Sequence, residues 1–279
     1  MNVQRLNEKK PNTINYQTTY SRQLFLNSRN ADIVMNGSNK SSVVFFFKDI
    51  LKIDKTTIEQ RLDLVNIQVP VSWYLINETN NTFYIDNLPF YFPEGNYNAN
   101  TFMITWVSFM GATWAVTFDN ILNKLTFYNS INFKISDGVN SIFDIIGFEK
   151  GKTYGSAFNI TAPFCCNFGG LQKININSST FNLKNADSKT KSVSSTLASI
   201  PVSSIQGGYI FYQNITNFKA VFKNHELSSI NIDILDDYGN FINFNGLDWS
   251  MTLQLDTICE VIQALDTLED IYIDASQEV

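Results

Sequence analysis

The sequence predicts a mainly β chain that carries one small α+β insertion, and three observations predict it. Asn, Ile, Phe, Ser and Thr stand where helical proteins place Ala, Glu and Arg. Asn competes with its own backbone for hydrogen bonds, and β-branched and aromatic side chains fit a pleated surface better than a helical one. Next comes alternation. Val65, Ile67, Val69, Val71 and Trp73 alternate with Asn66, Gln68, Pro70 and Ser72, and the pattern recurs at Ile230, Ile232 and Ile234 and again at Trp249, Met251, Leu253 and Leu255. Each run has one face for a core and one for water. The last observation is a change of period between residues 88 and 155. At 279 residues the chain is long enough to bury a core without disulfides.

The elements follow in order. Residues 1–29 are polar, contain Pro11 and show no sustained period. They are expected to form an extended arm with one apolar patch at Leu24-Phe25-Leu26. Arg5, Lys9, Lys10, Arg22 and Arg29 oppose the negative charge of the whole chain, which suits a solvated tail or an arm reaching a neighbouring subunit. Residues 30–87 read as β: "DIVMN", "SVVFFFKDI", the long run through Trp73, and "NTFYID". Pro70 has no N–H for a ladder, which favours an edge or a bulge there.

Residues 88–155 are expected to be the insertion. Asn98 or Asn100 caps a helix whose face carries Phe102, Trp106, Phe109 and Met110, and Gly111 ends it. "TWAVTFD" and "KLTFYN" form a hairpin across Asn120–Asn123, "NFKIS" adds a third strand, and "GVNSIFDII" makes a short helix closed by Gly147.

Over 156–258 the β pattern returns, interrupted by the polar surface loop "KNADSKTKSVSS". Near its end Asp236 to Asn240 form a turn, Phe241 to Asn245 begin a return strand, and Asn245-Gly246 mark a bulge or corner. Residues 259–279 are expected to be an acidic tail with a short helix, from the apolar spacing of "ICEVIQALDTLEDIYI".

Charge and composition exclude several classes of function. The chain has 20 Lys and Arg against 26 Asp and Glu, a net charge of -6, so specific nucleic-acid binding, which needs clustered cations, is not expected. The first residues lack the apolar run of a secretory signal, and no window suits a membrane span. Cys165, Cys166 and Cys259 are odd in number and lack a C-x-x-C spacing, so a reduced intracellular chain with buried thiols is expected.

Chemistry finds little to work with. A nucleophilic triad needs a base, and His225 is the single histidine, placed at a turn. Asp233, Asp236, Asp237 and Asn240 look superficially like a calcium loop but lack its closing Glu, and a turn explains them. Trp73, Trp106, Trp114 and Trp249 lie on apolar stripes and read as core. No catalytic, cofactor-binding or metal-binding residue is assigned, and the chain is read as a non-enzyme.

Against this background, "PEGNYNANTF", "TFDNILNKLTF", "SIFDIIGF", "ASIPV…GGYIFYQN" and above all "SSINIDILDDYGNFINFNGLDWSMTLQL" resemble the penton, or vertex, capsid proteins of virophages, polinton-like viruses and related large DNA viruses. The likeness runs from about Ala31 to Leu255. It implies a single jelly-roll β-sandwich of two antiparallel sheets, a homopentamer at the five-fold vertices of an icosahedral capsid, and contact with the major capsid protein. The implied place is the virion, with synthesis in the cytoplasm or viral factory of the host cell. An alternative is a minor capsid or appendage protein whose insertion binds a host surface glycan or receptor, with Tyr97 or Tyr128 displayed outward. A β-sandwich hydrolase ranks last for want of a base.

Overall fold

A computed structural model describes residues 13–52, 56–181, 185–187, 192–222 and 226–264. In chain order the strands are β1 (Thr13–Asn27), β2 (Ile33–Val34), β3 (Ser42–Lys52), β4 (Thr57–Pro70), β5 (Thr82–Ile85) and β6 (Leu88–Tyr91). Helix α1 (Ala99–Met110), β7 (Trp114–Asp119), β8 (Lys124–Ser136), α2 (Phe143–Ile146) and β9 (Thr153–Thr161) follow. Then come β10 (Lys173–Asn177), β11 (Asn185–Asp187), β12 (Ser192–Ser194), β13 (Thr196–Pro201), β14 (Tyr209–Gln213), β15 (Ala220–Phe222), β16 (Glu226–Leu235) and β17 (Ser250–Ala264).

One sheet has the order β1-β17-β4-β14 with β15 also on β4, and a second runs β13-β10-β16-β3-β2. Their strand pairs are antiparallel. Taking β14 and β15 as one interrupted strand and setting the short β2 aside, eight strands numbered in sequence stand as 1-8-3-6 and 5-4-7-2. That is the interleaved double Greek key of a jelly roll. One buried cluster holds Leu24, Leu64, Ile67 and Leu253 from the first sheet with Val43, Ile176, Ile232 and Ile234 from the second, so the two sheets pack face to face.

A third sheet, β6-β5-β8-β7 with β9 on β8, is covered by α1 and has its own buried cluster. Asn98 caps α1: its side chain accepts from the Thr101 N–H while the Thr101 hydroxyl accepts from the Asn98 N–H. Phe102 and Trp106 are buried on the covered face, Met110 packs at its margin and Phe109 stays exposed. Gly111 ends the helix. Gly147 closes α2 at φ 84°, where an added Cβ would lie 2.5 Å from the Phe164 carbonyl oxygen, so glycine is required twice over.

Several expectations need correction. The arm expected over residues 1–29 is a paired strand from Thr13, and residues 1–12 lie outside the described residues. Leu24 and Leu26 reach the core, whereas Tyr16 to Gln23 are mostly exposed on a sheet edge, so polar residues there serve both faces and no period shows. The short helix expected in the tail is, through Ala264, the end of β17; Leu255, Ile258 and Cys259 are buried at helix-like spacing because the register with β4 shifts at Ile258/Cys259. Residues 265–279 lie outside the described residues.

The insertion is also larger than residues 88–155. β5 and β9, which the sequence placed with the sandwich, pair with β6 and β8, and the second cluster extends from Ile76 to Ala162. Alternation reveals that a residue is in a strand but not which sheet the strand joins. "NFKIS" is the second half of β8 rather than a separate strand. Pro70 is buried at the end of the central strand β4, not on a wet edge. Phe241 to Asn245 give only an isolated bridge from Phe241 to Leu235, and Asn245-Gly246 make a corner with both residues at positive φ. The surface loop expected over 184–195 falls partly outside the described residues, and inside it β11 pairs with β12.

Candidate functional site

The residues weighed for chemistry either lie outside the described residues or are engaged in local structure. His225 lies outside the described residues. Asp236 is consumed by its own turn: one carboxylate oxygen accepts from the Tyr238 and Asn240 N–H groups at 2.8 Å, the other from the Asn240 amide at 3.0 Å. Asp233 accepts from the Ser42 hydroxyl at 2.6 Å, and Asp237 from the Gln172 N–H at 3.2 Å. Among the described residues no three His, Cys, Asp or Glu side chains gather as a metal site.

The cysteine expectation needs amending. Cys259 is buried, but Cys165 is exposed and Cys166 half-buried, because they lie in the loop after β9 rather than within a strand. Burial pushes the Cys166 thiol up from its ordinary value. Trp73, Trp106, Trp114 and Trp249 are all core, and Trp249 donates its indole N–H to the Lys40 carbonyl at 2.7 Å. Tyr97 does not project outward: its ring packs on Phe92 and Phe102, its hydroxyl donates to the Pro93 carbonyl at 2.9 Å, and burial raises its pKa. Tyr128 is exposed.

What the structure does assemble is surface. Along the β14/β15 edge of the first sheet, Ile205 (84% exposed), Phe211 (71%), Ile215 (86%), Tyr209, Phe218 and Val221 stand in solvent within seventeen residues of sequence. The alternation in "GGYIFYQN" explains two of them, since Ile210 faces the core and so turns Tyr209 and Phe211 outward. The signal was legible, but a period-two pattern with apolar residues on both faces reads equally as a fully buried strand. At the opposite edge β1 pairs only with β17 among the described residues, and it exposes Tyr16, Tyr20 and Phe25.

Two carboxylates hold this sheet's border. Asp256 is buried on β17; burial pushes its carboxyl up, but hydrogen bonds from Lys219, Ser21 and Gln254, together with the Lys219 charge, outweigh that and hold it below the usual carboxylate range. It thereby ties β1 and the approach to β15 to the same strand. Asp248 behaves alike, accepting from Lys40, Arg29 and Ser28, and is also lowered against the opposing effect of burial.

A third surface is a cleft of about 580 Å³ between the sandwich and the inserted module, lined by the buried Trp73 and Ile145 and by the exposed Tyr74, Tyr238 and Asn140. Sequence reasoning missed it, because its walls come from loops far apart in the chain.

No family model matches the chain, and no curated protein matches it. Among solved structures it is similar to a crystal structure described as the selenomethionine-labelled mavirus penton protein, at 10% sequence identity and a TM-score of 0.45, over 87% of this chain and 100% of that one.

Proposed function

We propose that this chain is a structural virion protein that forms homopentamers at the five-fold vertices of an icosahedral capsid and meets the major capsid protein around its rim. The observation that carries the reading is the asymmetry of the first sheet: among the described residues neither border strand has a further partner, one border exposing Tyr209, Phe211, Phe218 and Val221 and the other Tyr16, Tyr20 and Phe25. Two different sticky borders on opposite sides of one subunit suit a head-to-tail contact, and such a contact closes into a ring when the rotation allows. The jelly-roll order and the sequence resemblance to penton proteins support the same reading.

Light scattering over a concentration series tests it. A monomer that converts to a pentamer is expected, and a stable dimer at all concentrations overturns the reading. Phe211→Asp, at an exposed position, is expected to leave a folded monomer and to abolish the pentamer. Electron microscopy of the wild-type particle then reads the symmetry directly. The contact is expected to bury more than about 1,000 Å².

A further inference from the structure

We infer that the cleft between the jelly roll and the inserted module binds a neutral, hydroxyl-rich ligand, namely an oligosaccharide. Its volume of about 580 Å³ lies within the range of roughly 300–1,000 Å³ common for small-ligand sites, and boundaries between structural units are where such sites concentrate. It sits where the chain crosses between the two buried clusters, outward through residues 73–76 and back through residues 167–171, so both units contribute walls.

Charge selects the ligand. Glu78, Glu94, Asp144 and Asp236 line the cleft, while Lys150 is the one cation among the described lining residues and already pairs with Asp144. A phosphate, sulfate or sialate would enter against this field without a counter-charge. The side-chain amides suit hydroxyls instead. Asn243 spends its carbonyl on the Asn245 N–H and Asn167 spends its own on the Gly169 N–H, which leaves both NH₂ groups as donors. Asn240 and Asn140 use their NH₂ groups within the walls and leave their carbonyls as acceptors. Donor and acceptor amides mixed in this way match the vicinal hydroxyls of a sugar, each of which both gives and takes a hydrogen bond. Tyr74, Tyr238 and Phe241 are exposed beside them, and such rings stack on the C–H faces of pyranoses. The inference does not rest on pentamer formation, because one subunit supplies the whole cleft.

Saturation-transfer NMR on the full chain tests it, using neutral oligomers of glucose, galactose and N-acetylglucosamine beside sialylated and sulfated counterparts. Transfer to neutral sugars is expected, unchanged by added salt. Tyr238→Ala and Phe241→Ala are expected to weaken it about tenfold each, as for the loss of an aromatic anchor, while Ile121→Ala, at an exposed position between β7 and β8, leaves it intact. Binding confined to the anionic sugars, neutral binding that survives both cleft substitutions, or no transfer from any neutral oligomer overturns the inference. Oligomer mass, measured on the same samples, reads the vertex proposal separately.

Discussion

The two buried clusters of this chain are built from different materials. Among the described residues, the sandwich cluster has 6 aromatic side chains in 27, whereas the module cluster has 9 in 18. Two sheets stacked face to face leave a slot of nearly constant width, about 10 Å, which interleaved Ile, Leu and Val fill from both sides. A single helix laid on a twisted sheet leaves an uneven gap, and rings reach across it. Trp106 shows this. Its centroid lies 4.8 Å from that of Phe83 and 4.7 Å from that of Phe127, with Phe92, Phe102 and Trp114 around it. The sandwich fills its slot from many equivalent positions, while the module gathers five rings around one indole.

The largest expected effect breaks the module alone. Trp106→Ala removes a fully buried side chain and should cost about 3–5 kcal/mol, within the range for large aromatic truncations. Because the two clusters share no member, the loss should appear in one of two thermal transitions and leave the other in place. A single transition that shifts as a whole would show that the two clusters unfold together.

The complementary test is Ile232→Ala, at a residue with no exposed surface in the middle of β16 between β10 and β3. About 2–5 kcal/mol is expected, now in the other transition. The sandwich supplies the proposed ring contacts, so this variant should also lose the pentamer at elevated temperature, whereas Trp106→Ala should keep it. Size-exclusion chromatography across a temperature series separates the two outcomes.

How much of this was legible in the sequence follows from the same contrast. The strands of the sandwich were readable wherever the ladder is regular: Ile230, Ile232 and Ile234 alternate and face inward as the period requires. Reading failed where a bulge changes parity. In β4 the inward residues are Leu62, Leu64, Ile67 and Val69, because Thr252 pairs with Asn66 and Leu253 with Leu64, leaving Val65 as the extra residue. The sequence alternation that begins at Val65 is therefore real from Ile67 onward and misleading before it. In the module the helix and its caps were readable from local chemistry, since Asn98 and Gly111 act within a few residues of themselves. Membership of β5 and β9 in the module was not, because strand pairing is a long-range choice that local pattern does not encode. The cleft was hidden for the same reason: Tyr74, Asn140 and Tyr238 meet only after folding.

A smaller effect sharpens the comparison at the sheet border. With its pKa held below the unfolded value, the Asp256 carboxylate contributes stability that is fully present above the ordinary carboxylate value near about 4 and is lost as pH falls through the lower, folded value. The urea midpoint of the sandwich transition should therefore hold from pH 7 to pH 5 and drop below about pH 4. Asp256→Asn should cost about 1–3 kcal/mol at pH 7, as for a buried polar network that loses its charge, and should flatten the acid limb. A variant with an unchanged acid limb would show that Asp256 does not set it.

The smallest effect asks whether the module needs the chemistry of Trp106 or only its shape. The indole N–H of Trp106 is buried without an acceptor among the described residues, and an unsatisfied buried donor costs about 1–3 kcal/mol. Trp106→Phe removes that donor and some ring volume at once, so relief of the unpaired N–H and the cost of the small gap oppose each other. The net change should stay within about 1.5 kcal/mol, the range for a tolerated hydrophobic exchange. Calorimetry of the module transition decides the point. A loss as large as that of Trp106→Ala would mean that the full indole ring, not merely an aromatic filler, holds the rings of Phe83 and Phe127 in place.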